Sequence, residues 1–113
     1  MATEHVGTTR IFDNGKIIVW NFALQPGETT PMHTCNNAYI CYALQGGPLD
    51  GEDEHGNDPG IFDVPTGAVF DVKRVNGELE VVSEINKGVK FPVTHNAKHV
   101  GDTTHRAILI EFK

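Results

Sequence analysis

The sequence predicts an all-β domain, a sandwich or closed barrel, and three observations carry that expectation. Short runs rich in β-branched and aromatic residues recur along its 113 residues. Its 12 glycines and 6 prolines cut those runs apart at turn-forming dipeptides. No window of about 11 residues keeps a helical apolar period without a Gly or Pro inside it. About six to eight short strands between such turns suit a barrel or sandwich and exclude a helix-dominated fold.

Residues 1–15 read as an amino-terminal tail or edge strand, and residues 16–113 as a single barrel domain. The first strong strand is KIIVWNFAL, residues 16–24, bounded by Asn14-Gly15 and Pro26-Gly27. Trp20 and Phe22 share one face of it with Ile18 and Leu24, as core or as an aromatic pocket wall. AYICYAL, residues 38–44, follows and ends at Gly46-Gly47. IFDV before Pro65, AVFDVKRV before Asn76-Gly77 and ELEVVSEI, residues 78–85, are the next three. Asn76-Gly77 is the strongest hairpin signal, because both residues tolerate the positive φ of a tight two-residue turn. The last run is HRAILIEFK. Ile108, Ile110 and Phe112 share one of its faces with Arg106, while Ala107, Leu109 and Glu111 form the other. A strand apolar on both faces suits an inner sheet that packs against a second copy, so a homodimer is expected. Arg106 is expected at the barrel mouth, meeting an anionic substrate or a nearby acid.

The net charge is −6, and most of it is local. Asp50, Glu52, Asp53, Glu54 and Asp58 lie within nine residues, and the remaining chain carries 10 acids against 9 bases. Nothing there displaces counterions from phosphates, which argues against nucleic acid as a partner. Nor is there a basic amphipathic helix, or an apolar run near the roughly 20 residues of a membrane span. The start MATEHVGTTR lacks a basic-then-apolar signal pattern, so a cytoplasmic protein with Cys35 and Cys41 as free thiols is expected. The acidic segment GGPLDGEDEHGNDPG, residues 46–60, reads as an exposed loop. It fails as a calcium loop: counted from Asp50, the glycine and glutamate positions hold His55 and Ile61. The lone Ser83 sits in VVSEI, not in a nucleophile elbow, and neither a phosphate-binding glycine loop nor His-Glu-x-x-His is present.

The chemistry is concentrated in histidines. Residues 33, 35, 37, 39 and 41 share a parity, so an extended segment there turns His33, Cys35, Tyr39 and Cys41 to one side. Imidazole and thiolate together suit zinc, iron, nickel or copper. At this point the sequence resembles the cupin superfamily. Gly27, five residues, His33-Thr34-Cys35, three residues, Tyr39, six residues and Gly46 reproduce the spacing of its first motif, with Cys35 in place of a His and Tyr39 in place of a Glu. HNAKHVGDTTHRAILIEFK resembles the second motif, with His95 at the His position and His99 where an Asn stands. A competing register counted from Gly88 puts His99 at the ligand position, and equal parity lets both rings approach one site.

That resemblance implies a small double-stranded β-helix, a jelly-roll barrel with a central pocket, often dimeric and often holding a divalent transition metal (zinc, iron or nickel). It implies His33, Cys35, His95 and His99 as the metal set, with Tyr39, Cys41, Trp20 and Arg106 around the pocket. His105, just after the turn, is expected at solvent. Among small cupins, the Tyr following the His position is similar to the β-alanine degradation type. The expected function is a metal-dependent enzyme acting on a small polar metabolite, with dioxygenase, isomerase and lyase chemistry all open. The alternative is a noncatalytic module that binds or senses a small ligand with a degraded metal site.

Overall fold

The computed structural model describes residues 8–58 and 60–113. Its strands are β1 (Thr9–Asp13), β2 (Ile17–Leu24), β3 (His33–Thr34), β4 (Tyr39–Gln45), β5 (Leu49–Asp53) and β6 (Gly60–Phe62), then β7 (Val69–Val75), β8 (Glu78–Val81), β9 (Lys90–Pro92), β10 (Thr94–His99) and β11 (His105–Phe112). They form a seven-stranded sheet in the order β1-β2-β11-β4-β7-β8-β9 and a four-stranded sheet in the order β3-β10-β5-β6. The two sheets make the β-helical barrel that the sequence predicts. Of the expected amino-terminal tail, residues 1–7 lie outside the described residues, and β1 is an edge strand on β2.

Alternation along each strand decides what faces inward. Trp20, Phe22 and Leu24 on β2 are buried, as are Tyr39 and Ala43 on β4 and Phe70 and Val72 on β7. On β11 the buried set is His105, Ala107, Leu109 and Glu111. Arg106 has the opposite parity and is exposed on the outer face, which corrects its expected place at the pocket. The β7–β8 hairpin closes at Asn76-Gly77 as expected, with φ of 52° and 80° at the two turn residues and Val75 paired to Glu78.

The acidic segment is only partly a loop. Leu49–Asp53 pairs with His95–His99 of β10, and β6 pairs in turn with β5. Lying between β10 and β6, β5 has its backbone groups paired on both sides, and that pairing overrides the poor strand propensity of Gly and Asp. Gly51 is the residue that fits here, since a Cβ at this position would meet the Asn96 carbonyl oxygen at 2.9 Å. Asp53 orders the turn that follows, its Oδ1 accepting the backbone N–H groups of His55 and Asn57.

Candidate metal centre and cavity

Two short elements of the small sheet bring the site together. His33 on β3 is the ladder partner of His95 on β10, and their rings meet edge-on with centroids 4.4 Å apart. Cys35, just past β3, donates its backbone N–H to the Val93 carbonyl at 2.8 Å, which holds it beside the pair. One donor atom each from His33, Cys35 and His95 lies within 4.8 Å of the others. His33 and Cys35 are buried and His95 is half-buried.

The rings are oriented as metal ligands require. His33 Nδ1–H donates to the Pro31 carbonyl at 3.0 Å, and His95 Nδ1–H to the Pro92 carbonyl at 2.7 Å. A carbonyl oxygen only accepts, so this tautomer leaves the lone pair on each Nε2. Pinning the second ring nitrogen to a backbone carbonyl is the usual support of a metal-bound histidine. Burial, together with the His33 ring, lowers the His95 pKa to about 4, so it is a neutral donor at pH 7. Burial and the Glu111 carboxylate push the Cys35 thiol up to about 12, so a bound cation must displace its proton. The donor set of two imidazoles and one thiol fits zinc or another borderline transition ion and leaves positions open for a further ligand.

His99 does not join them. It shares inward parity with His95 but lies roughly 13 Å further along β10. Its ring is clamped between Gly47 and Gly101, where added Cβ atoms would come within 2.6 and 2.9 Å of Cε1. Nε2–H donates to the Thr103 carbonyl and Nδ1 accepts the Gly101 N–H at 3.4 Å, so both nitrogens are engaged in the turn. The register counted from Gly88, which put His99 at the ligand position, is therefore not the one the structure adopts: the turn at Gly101 and Thr103 holds the ring away from the metal set.

The three grouped residues sit in the wall of a cavity of about 350 Å³ between the sheets. Tyr39 and Cys41 line it, as expected from parity, although the chain crosses from one sheet to the other between Cys35 and Tyr39. Burial, helped by Cys35 and Cys41, holds the Tyr39 phenol well above its ordinary pKa, so it stays protonated. Burial alone lifts the Cys41 thiol to about 12. Trp20 is core but does not line this cavity; its Nε1–H donates to Glu111 Oε1 at 2.9 Å, turning the indole toward the far end of the barrel. Phe22, two residues on, takes the wall position instead.

Sequence reasoning missed His105 and Glu111. His105 is 2% exposed, not at solvent, and its ring lines the cavity beside Phe22. Glu111 is 5% exposed and accepts from both Trp20 and Asn37. The strict alternation of β11 was the available signal for both, because it puts residues 105 and 111 on the face of Ala107 and Leu109.

No protein-family model matches the chain, and no curated protein matches it by sequence. Solved structures do match. A cupin domain from Bordetella pertussis covers 100% of this chain and 97% of its own at 22% identity, with a TM-score of 0.64. The fold is the cupin barrel. A Cupin 2 conserved barrel domain protein from Salinispora arenicola agrees at 14% identity and a TM-score of 0.53, over 93% of this chain and 73% of its own. The polyketide cyclase RemF from Streptomyces resistomycificus gives 14% and 0.53, over 91% and 61%. On this barrel three of the four residues that the sequence resemblance implies as a metal set, His33, Cys35 and His95, cluster together.

Proposed function

We propose that the chain is a metal-dependent cupin enzyme that binds a small molecule in the cavity beside His33, Cys35 and His95. The observation that carries this reading is the pair of imidazoles pinned through Nδ1 to prolyl carbonyls, with a thiol beside them in a cavity wall. When bound, the metal supplies Lewis-acid polarisation of a substrate donor atom. The protein's own contribution is the rest: the triad fixes one end of the substrate, and the apolar wall excludes water. Tyr39 remains a protonated hydrogen-bond donor rather than a phenolate ligand.

The wall also shifts the substrate class. Phe22, Phe62, Phe70 and Phe91 line the cavity with Val72 and Leu109, and among the described residues no Lys or Arg is buried. A small molecule with an apolar body suits this space better than the polar metabolite expected from sequence. The test is metal analysis of untagged protein supplied with zinc, iron(II) or nickel. Near-stoichiometric metal in the wild type, lost in His95→Ala and kept in His99→Ala, supports the reading. Metal-free protein under every supply, or metal held equally by His95→Ala, rejects the triad and favours a noncatalytic binding module.

We also propose a homodimer through the outer face of the seven-stranded sheet. Phe12, Val19, Ile110 and Ile40 are successive cross-strand partners on that face, flanked by Tyr42 and Val69, which are 46% and 50% exposed. Such a contiguous apolar patch is unusual on a monomer.

A further inference from the structure

The cavity has a second polar end. His105, on the large sheet, pairs with Leu24 and stands with its ring edge-on to Phe22 at 5.4 Å and to His99 at 5.6 Å. Its Nδ1 is buried and has no hydrogen-bond partner among the described residues. A buried polar atom without a partner is rare in a native fold and calls for a ligand or an ordered water. The ring's other nitrogen faces the Gly47 carbonyl, which accepts, so Nε2 carries the proton and Nδ1 the lone pair. Burial and His99 lower the ring's pKa to about 4, which keeps this neutral tautomer at pH 7. Between this end and His95 room comes from small inward residues, Gly51 and Ala97 on one sheet and Ala107 on the other, in a lining that is mostly apolar with Glu52, Asp63 and Lys90 as its charged members.

We infer that His105 is the ligand-recognition group at the far end of the cavity, its Nδ1 accepting a hydrogen bond from the hydroxyl or N–H of an otherwise apolar, uncharged small molecule. A carboxylate or phosphate at that end is disfavoured, because a neutral acceptor repels it and no buried cation compensates. A water in place of the ligand group is the competing occupant. The inference rests on the cavity being the ligand site and does not require the metal.

Two isosteric probes separate these possibilities: 4-ethylphenol, which carries the donor, and 4-ethyltoluene, which replaces it by a methyl group. Their dissociation constants are measured on metal-free and zinc-loaded full-length protein, wild type and His105→Phe. The affinity ratio of phenol to toluene is expected to fall about tenfold in His105→Phe, equivalent to about 1.4 kcal/mol. 4-Ethyltoluene should keep its affinity within about twofold. An unchanged ratio overturns the inference. Should His105→Phe not fold, the wild-type ¹⁵N resonance of His105 Nδ1 decides: it moves on adding 4-ethylphenol and not 4-ethyltoluene, and a resonance unmoved by both overturns the proposal. Failure of both probes to bind wild-type protein overturns it as well. Metal analysis reports separately on the triad, so the two readings fail independently.

Discussion

His33 and His95 are cross-strand partners in a ladder of only two residue pairs, and that ladder sets their rings 4.4 Å apart. The other pair is Thr34 and Thr94, whose hydroxyls are hydrogen-bonded at 2.9 Å. β3 is thus held by a side-chain clasp next to the site, and metal affinity is expected to depend on it. Thr34→Val removes one hydroxyl while conserving shape. We expect about a tenfold loss of zinc affinity in a competition titration, the scale of a lost supporting contact. Cys35→Ser removes a direct donor and should cost at least about 100-fold. Cobalt-substituted wild type should show thiolate-to-metal charge-transfer absorption, absent in Cys35→Ser; an identical spectrum in the variant removes Cys35 from the set.

Much of the large sheet was legible because its strands are long and punctuated. The runs around Trp20, Cys41, Phe70 and Leu109 alternate cleanly, and Asn76-Gly77 leaves little choice of turn. The small sheet was not legible. β3 has two residues and β5 contains Gly51, Asp50 and Glu52, so their pairing is imposed by β10 rather than by local preference. The resemblance implies His33, Cys35, His95 and His99 together, and the structure groups the first three; His99 enters that set on parity, which says which way a side chain points and not how far along the strand it lies. Arg106 failed for a different reason: His105 and Ala107 claim the inward positions on either side of it.

His95 and His105 make the apo protein acid-sensitive. Burial lowers both from the ordinary 6.5 to about 4. Between those values the unfolded chain takes up protons that the folded chain does not, so folding stability is full above about pH 6.5 and falls toward pH 4. Thermal midpoints of metal-free protein should drop across this window. In His105→Phe the drop should be shallower, with His95 still contributing. A midpoint flat from pH 7 to 4 contradicts the burial of both rings.

Glu111 closes the end of the barrel opposite His105. It accepts from Trp20 Nε1 at 2.9 Å and from Asn37 Nδ2 at 2.8 Å. Glu111→Ala strands a buried indole N–H and should cost about 1–3 kcal/mol. Glu111→Gln retains one acceptor and should cost less. Urea unfolding with an unchanged m value is the measurement; equal losses in both variants mean that the carboxylate charge, not acceptance from Trp20, is what matters.

The outer face of the seven-stranded sheet yields the last prediction. Cross-strand register runs Asn21–Ile108–Tyr42–Val69 beside Val19–Ile110–Ile40, so under the proposed homodimer a second copy would meet a largely apolar surface. Placing a Lys in the middle of it costs little in a monomer, where the chain can snorkel to water, and much in a dimer core. Tyr42→Lys is therefore expected to convert a dimer to a monomer by sedimentation equilibrium, with the thermal midpoint losing its dependence on protein concentration. Metal content should be unchanged, because Tyr42 faces away from the cavity. A wild type that sediments as a monomer at all concentrations rejects the dimer, and a Tyr42→Lys protein that remains dimeric moves the interface off this face.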